Sequence, residues 1–173
     1  KLDSHENLTD EEMTHAINLM MEGEIEQHLI EHFLKGLNKK GITVREISSA
    51  AKVMREKSLK FDLKDANIID TCGTGGTGLH IFNCSTASAI VATAAGAKVS
   101  KHGNRGISSK SGSADFLIEA GADINHERDK LAEIFNKVGF VFLFAPLHHL
   151  SMKHVMPARQ NLATKTIFNL LGP

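Results

Sequence analysis

Apolar positions recur at helical spacing through the first sixty residues. Thr9 and Glu12 form a capping box, with Leu8 and Met13 placed as its hydrophobic staple. Met13, Ala16, Ile17 and Met20 then share a face until Gly23 stops the run. The spacing predicts a second helix with Ile25, Leu29, Phe33 and Leu37 on one face, ending near Gly41. A third opens with Thr43 and Glu46, stapled by Ile42 and Ile47, and runs on through Ala50, Ala51 and Met54. Nothing in this lobe suggests chemistry, and its methionines read as core filler.

After a polar crossing at 60–65 the period changes. A short apolar strand at 67–70 leads to a glycine loop and an alanine-rich helix over 85–95, stopped by Gly96. A strand at 97–100, a polar loop and a helix from 114 to Gly121 follow. Next come a helix with Leu131, Ile134, Phe135 and Val138 on one face, and a wholly apolar strand at 140–144. A strand apolar on both faces is expected inside a covered parallel sheet, and the alternation argues right-handed βαβ units. Past Ala145-Pro146, Met152, Val155, Leu162, Ile167 and Leu170 read as helices that could return to the amino-terminal lobe. The expected fold class is α/β: a small N-terminal helical domain over 1–62, plus part of a larger parallel-sheet α/β domain over 66–154, with 155–173 returning to the helices.

Two loops carry the candidate chemistry. Residues 70–86 read Asp-Thr-Cys-Gly-Thr-Gly-Gly-Thr-Gly-Leu-His-Ile-Phe-Asn-Cys-Ser-Thr. Glycines there let backbone N–H groups approach a ligand, and such a loop before a helix N-terminus is a nest for phosphate. A tight turn would also use them. Residues 101–113 read Lys-His-Gly-Asn-Arg-Gly-Ile-Ser-Ser-Lys-Ser-Gly-Ser, which a solvated surface loop could also resemble. Both loops follow strand candidates, so in an open α/β sheet both lie at the carboxyl ends of strands, where ligands bind. Together they favour a phosphate-rich ligand.

Charge and cysteine content narrow the classes. Twenty basic residues balance twenty acidic ones, which argues against a general nucleic-acid or membrane-surface role. Cys72 and Cys84 flank the glycine loop and fit no zinc-ligand spacing. They read as free thiols of a reducing compartment. No run of eighteen apolar residues occurs and the amino end has no charged-then-apolar pattern, so a soluble cytoplasmic chain is expected. Because it begins at Lys1 and stops at Leu171-Gly172-Pro173, it reads as a fragment of a longer protein. Helix faces left over after packing could serve a homodimer through the helical domain.

Taken together, the two loops resemble those of the anthranilate phosphoribosyltransferases of tryptophan biosynthesis. Phe144-Ala-Pro-Leu-His-His, Met156-Pro-Ala-Arg-Gln and Thr166-Ile-Phe-Asn-Leu-Leu-Gly-Pro look like the family's downstream segments. The resemblance implies a fold related to the pyrimidine nucleoside phosphorylases. It implies transfer of the phosphoribosyl group of phosphoribosyl pyrophosphate (PRPP) to the amine of anthranilate, with Mg2+ as cofactor. That chemistry needs charge stabilisation on the leaving pyrophosphate more than a strong base, and no side chain is assigned as catalytic. By the same resemblance, Gly73, Thr74, Gly75, Gly76, Thr77, Asn83, Ser85 and Thr86 would hold PRPP, joined by Lys101, Ser108, Ser109 and Ser113. Ser85 would also reach the metal. Gly73, His102, Asn104, His149 and Arg159 would line the anthranilate path, Arg159 facing the carboxylate with its guanidinium fork.

The chain departs from the family pattern at several points. Thr77 stands where the family usually has aspartate, Ile81 where it has serine or threonine, and His148 and Leu150 where tyrosine and proline are commoner. The family's acidic Asp-Glu pair, which holds magnesium, is expected beyond Pro173, so the 173-residue chain alone is expected to bind PRPP weakly. His148, His149 and His154 could suggest zinc, but their spacing is poor helical geometry. Two alternatives stand beside the transferase: a nucleoside-phosphorylase-like enzyme, and a non-catalytic nucleic-acid-binding paralogue of the same fold. The first lacks the Lys-Ser/Thr pattern after the loop, and the second sits poorly with zero net charge.

Overall fold

A computed structural model of the chain describes residues 1–74, 82–106 and 111–172. In chain order the helices and strands are α1 (Asp10–Glu22), α2 (Gln27–Lys40), α3 (Val44–Lys57), β1 (Ile68–Ile69), α4 (Cys84–Ala94), β2 (Lys98–Gly103) and α5 (Ser113–Glu119). There follow α6 (Arg128–Val138), β3 (Phe140–Phe144), α7 (Ala145–His148), α8 (Met156–Leu162) and α9 (Ile167–Leu170), with 3-10 turns at Leu2–Ser4 and Leu150–His154. The chain divides into two compact units, Lys1–Leu59 with His149–Pro173, and Lys60–His148, where the sequence had suggested 1–62, 66–154 and 155–173. A helical domain and a parallel-sheet α/β domain are thus both formed.

Both capping boxes of the helical unit are made. Thr9 N donates to Glu12 Oε2 at 2.9 Å and Glu12 N to Thr9 Oγ1 at 3.2 Å. Thr43 and Glu46 repeat the arrangement at α3. Met13, Ile17 and Met20 are buried, with Leu34, Val53, Val155 and Ile167 in one core, so the C-terminal helices do pack on the amino-terminal ones. The α2 face differs from expectation. Ile30, Leu34 and Leu37 are buried, while Leu29 is 49% exposed and Phe33 lies at the core's edge. Ile25 precedes the helix and so does not set its phase. Leu2, packed so close to Gly36 that an added Cβ would sit 3.0 Å from Leu2 Cβ, helps to set it instead.

Glu46 is 1% exposed and ties three segments together. Its carboxylate accepts from Leu8 N at 2.9 Å, Thr43 N at 2.8 Å, Thr43 Oγ1 at 2.9 Å and Lys40 Nζ at 2.9 Å. Burial alone would raise its pKa. The backbone donors Leu8 and Thr43, with Lys40, outweigh that and hold it below the ordinary value.

The α/β unit carries a three-stranded parallel sheet in the order β1-β2-β3. Phe140–Phe144 forms as expected, but β3 is an edge strand among the described residues, not an inner one. The centre is β2, which runs through Gly103, beyond the expected 97–100, and takes Lys101 and His102 into the sheet. Pairing with β3, Lys101 beside Phe142 and His102 beside Leu143, carries these polar residues into the ladder, where their backbone groups find partners. One face of β3 packs with Ala114, Leu117 and Ile124, and the other with Leu131 and Phe135 of α6. On α6, Val138 is 59% exposed and does not join that buried face. No helix of the described residues is long and apolar enough to cross a membrane.

Replacing Glu46 by alanine leaves Lys40 and three donors behind in a buried setting, and should cost about 3–5 kcal/mol of stability at neutral pH. Because the folded-state pKa is depressed, Glu46's contribution is complete above the unfolded glutamate value and fades as pH falls through the folded one. Urea titrations of both proteins should therefore show a gap that is wide at pH 7 and narrows in acid.

Candidate functional site at the carboxyl edge of the sheet

Strand register decides where the two loops' side chains go. Val99, Ser100, Lys101, His102 and Gly103 lie beside Phe140, Val141, Phe142, Leu143 and Phe144. Successive side chains alternate between faces, so Lys101 shares the face of Phe142 and α5, and His102 that of Leu143 and α6. Three residues beyond the Ile68–Lys98 pairing the same register sets Thr71 beside Lys101 and, next, Cys72 beside His102.

On the Lys101 face the ammonium is buried, with the residue 1% exposed. Nζ donates to Thr71 Oγ1 at 3.3 Å, and that hydroxyl donates to the Ser85 carbonyl at 2.7 Å in the first turn of α4. No described carboxylate forms an ion pair with Lys101, whose pKa is lowered by burial against the opposing pull of Asp70. Asn83 caps α4, its Oδ1 accepting from Thr86 N at 3.2 Å and from Ser85 Oγ at 3.3 Å. Thr86 is wholly buried, and its hydroxyl has no hydrogen-bond partner among the described residues. Gly73 and Thr74 are exposed, and a Cβ on Gly73 would meet open space. Gly75, Gly76, Thr77, Ile81, Ser108 and Ser109 lie outside the described residues.

On the other face Cys72 Sγ is 3.8 Å from His102 Nδ1, and neither Cys72 nor Cys84 is in a disulfide. Burial, then Asp70, raises the Cys72 pKa. His148, at the end of α7, is 7% exposed and stands against Phe61, ring centroids 6.3 Å apart. Burial, then the neighbouring His102 and Arg128, lowers its pKa.

The second loop is drawn together at its neck by groups the sequence reading passed over. Asp115 accepts from Gly106 N at 2.8 Å and Gly112 N at 2.7 Å, and these backbone donors lower its pKa. A Cβ on Gly112 would come within 2.5 Å of Asn104 O, Arg105 C and Gly106 N, so only glycine fits there. Asn104 is exposed and its carbonyl accepts from Ala114 N at 3.2 Å, while Ser113 opens α5 beside Gly103. The signal that could have found Asp115 is its place three residues after Gly112, where an acidic side chain can turn back to the helix start.

His149 and Arg159 belong to the helical unit. Arg159 lies over the Phe168 ring at 5.6 Å, reaches Met156 Sδ at 3.8 Å, and has its pKa lowered by burial. No described carboxylate pairs with it. Ser85 Oγ is a hard oxygen donor of the kind Mg2+ takes, but no three His, Cys, Asp or Glu among the described residues are placed to hold a metal. These residues fit the ion as one ligand beside substrate phosphates, not as a cage.

Comparison with known proteins puts a family to this geometry. Residues 65–173 match the glycosyl transferase family, a/b domain, and residues 1–58 its helical bundle domain. The chain belongs to this glycosyl transferase family. Within it, the sequence is 49% identical to an anthranilate phosphoribosyltransferase of Thermoanaerobacter sp. over all of this chain and 51% of that protein. The enzyme of the same name from Alkalilimnicola ehrlichii is 48% identical over 96% of this chain and 49% of its own. Among solved structures, anthranilate phosphoribosyltransferase from Thermus thermophilus superposes with a TM-score of 0.90 at 39% identity, covering 100% of this chain and 53% of that one. The Saccharomyces cerevisiae enzyme, in complex with PRPP and Mg, gives 0.87 at 30% identity over 96% and 50%. The chain spans about half the length of the curated relatives it matches. The resemblance drawn from the two loops and the one returned by comparison are the same.

Two outcomes test this geometry. Asp115→Ala leaves two loop amides without their charged acceptor and should cost about 1.5–3 kcal/mol, with faster hydrogen exchange at Gly106 and Gly112 than at β2. Lys101→Met keeps the side chain's length and removes an unpaired buried charge, so it should raise stability by about 1–3 kcal/mol in the absence of anions. Chemical denaturation in a low-phosphate buffer reads this directly.

Proposed function

We propose that this chain supplies the PRPP-holding part of an anthranilate phosphoribosyltransferase, which forms phosphoribosylanthranilate and pyrophosphate in the cytoplasm. The observation that carries the reading is the buried Lys101 ammonium, linked through Thr71 to the first turn of α4 and lacking a carboxylate partner among the described residues. A cation beside a helix N-terminus is the setting a phosphate favours. In the reading, Lys101, Ser85, the buried Thr86 hydroxyl and the amides from Gly73 onward hold the donor, joined by Thr74, Asn83, Ser113 and the loop residues named above. Asp115 holds the two ends of the second loop together through Gly106 and Gly112.

The step itself breaks the bond from ribose C1 to the pyrophosphate oxygen as the aromatic amine bonds to C1. The amine loses one proton and pyrophosphate leaves with the electron pair. Mg2+, when bound, supplies neutralisation of the leaving charge, with Ser85 as the described ligand. At the carboxyl edge of β2, His102 and Asn104 at the loop start would meet the acceptor where it faces the donor. For His149 and Arg159 the assignment rests on the resemblance alone. A homodimer through the helical unit is part of the proposal, supported by the exposed apolar residues Leu29 and Val44, the latter 84% exposed. Nucleic acid is not an expected partner, given zero net charge.

The test is loss of anthranilate fluorescence on adding PRPP and Mg2+ to the full-length protein. Asn104→Ala and Arg159→Ala should each raise the KM for anthranilate at least tenfold while changing that for PRPP little. Phosphorolysis of nucleosides without this signal would favour the phosphorylase, and neither activity with tight nucleic-acid binding the paralogue.

A further inference from the structure

His148 presents a problem that packing does not solve. The residue is more than nine-tenths buried, yet its Nε2 has no hydrogen-bond partner among the described residues. Buried polar groups in folded proteins are nearly always paired, and one that is not calls for an absent partner. Its surroundings are not those of an inert core histidine. Phe61 stands against one side of the ring, and the charges felt by it are those of His102 and Arg128. His102 in turn touches the Cys72 thiol. These groups gather where β2 and β3 end, on the α6 face of the sheet, opposite to Lys101.

We propose that His148 is a specificity-determining residue of the acceptor slot, its buried Nε2 hydrogen-bonding a polar substituent on the aromatic acceptor. The proposal deepens the transferase reading and rests on it for the identity of that acceptor. Burial, then His102 and Arg128, lowers the ring's pKa, which favours its neutral form and recognition by hydrogen bonding. A neutral imidazole can accept from the amine or donate to the carboxylate, and Phe61 supplies the apolar wall beside it.

The experiment uses His148→Phe and His148→Gln in the full-length protein, with calorimetric titration of anthranilate, benzoate and aniline as probes. His148→Phe removes the unsatisfied polar atom and keeps an aromatic ring against Phe61, so its melting temperature without ligand should rise. Its affinity for anthranilate should fall about tenfold or more, the cost of leaving a substrate polar group unpaired. The KM for PRPP should not move, and His148→Gln should restore much of the affinity. A loss shared with aniline assigns Nε2 to the amine, and one shared with benzoate assigns it to the carboxylate. Unchanged anthranilate affinity in His148→Phe, or a drop in melting temperature with no rescue by glutamine, overturns the proposal. Absence of phosphoribosyl transfer in the unsubstituted protein would sink the transferase reading instead, while the stability and binding contrasts would still report on His148.

Discussion

An ammonium buried without a carboxylate is the constraint around which the α/β unit is arranged. Taking a cation out of water costs several kcal/mol even after relaxation, and among the described residues Lys101 has the Thr71 hydroxyl and the more distant pull of Asp70 to set against that. Thr71 serves because the strand register puts it alongside, and because its one hydrogen goes to the Ser85 carbonyl, leaving its lone pairs for Lys101. In the proposed reading, an anion bound beside Lys101 would offset that cost. Helix α4 points its N-terminus into the same region, and the two effects add.

Alternation along one strand then separates two kinds of chemistry. Lys101 and His102 are neighbours in sequence, and the pleat sends them to opposite sides of the sheet. The lysine side is cationic and lined by hydroxyls. The histidine side has imidazoles, a thiol and phenylalanine.

Legibility in the sequence followed the range of the forces involved. Thr9 with Glu12 and Thr43 with Glu46 were readable because capping is settled within four residues. The second and third strands were found, since apolar runs bounded by glycine are a local signal. The phase of α2 was not, because distant partners set it: Leu2 against Gly36, and Gln27, whose side chain donates to His154 O and accepts from Ala158 N. Strand β2 was cut short at Ser100 for a related reason. A lysine and a histidine look like loop until their pairing with Phe142 and Leu143 of β3 shows that they continue a ladder. Asp115 escaped because a lone carboxylate in a polar segment looks solvated, and only the folded loop brings Gly106 and Gly112 amides to it.

The apolar β3 makes the same point from the other direction. Five residues without a polar side chain read as an inner strand, yet β3 pairs only with β2 among the described residues. Its apolar content is explained by what lies above and below it, not by its place in the strand order. Phe140, Phe142 and Phe144 meet the α5 side, and Val141 and Leu143 the α6 side. Hydropathy reports how many faces of a strand are covered and is silent about how many edges are paired. The same distinction applies to His148, where an apolar setting and an unpaired polar atom coincide. Coverage excludes water from the ring, and exclusion of water is what gives a single hydrogen bond there the power to discriminate.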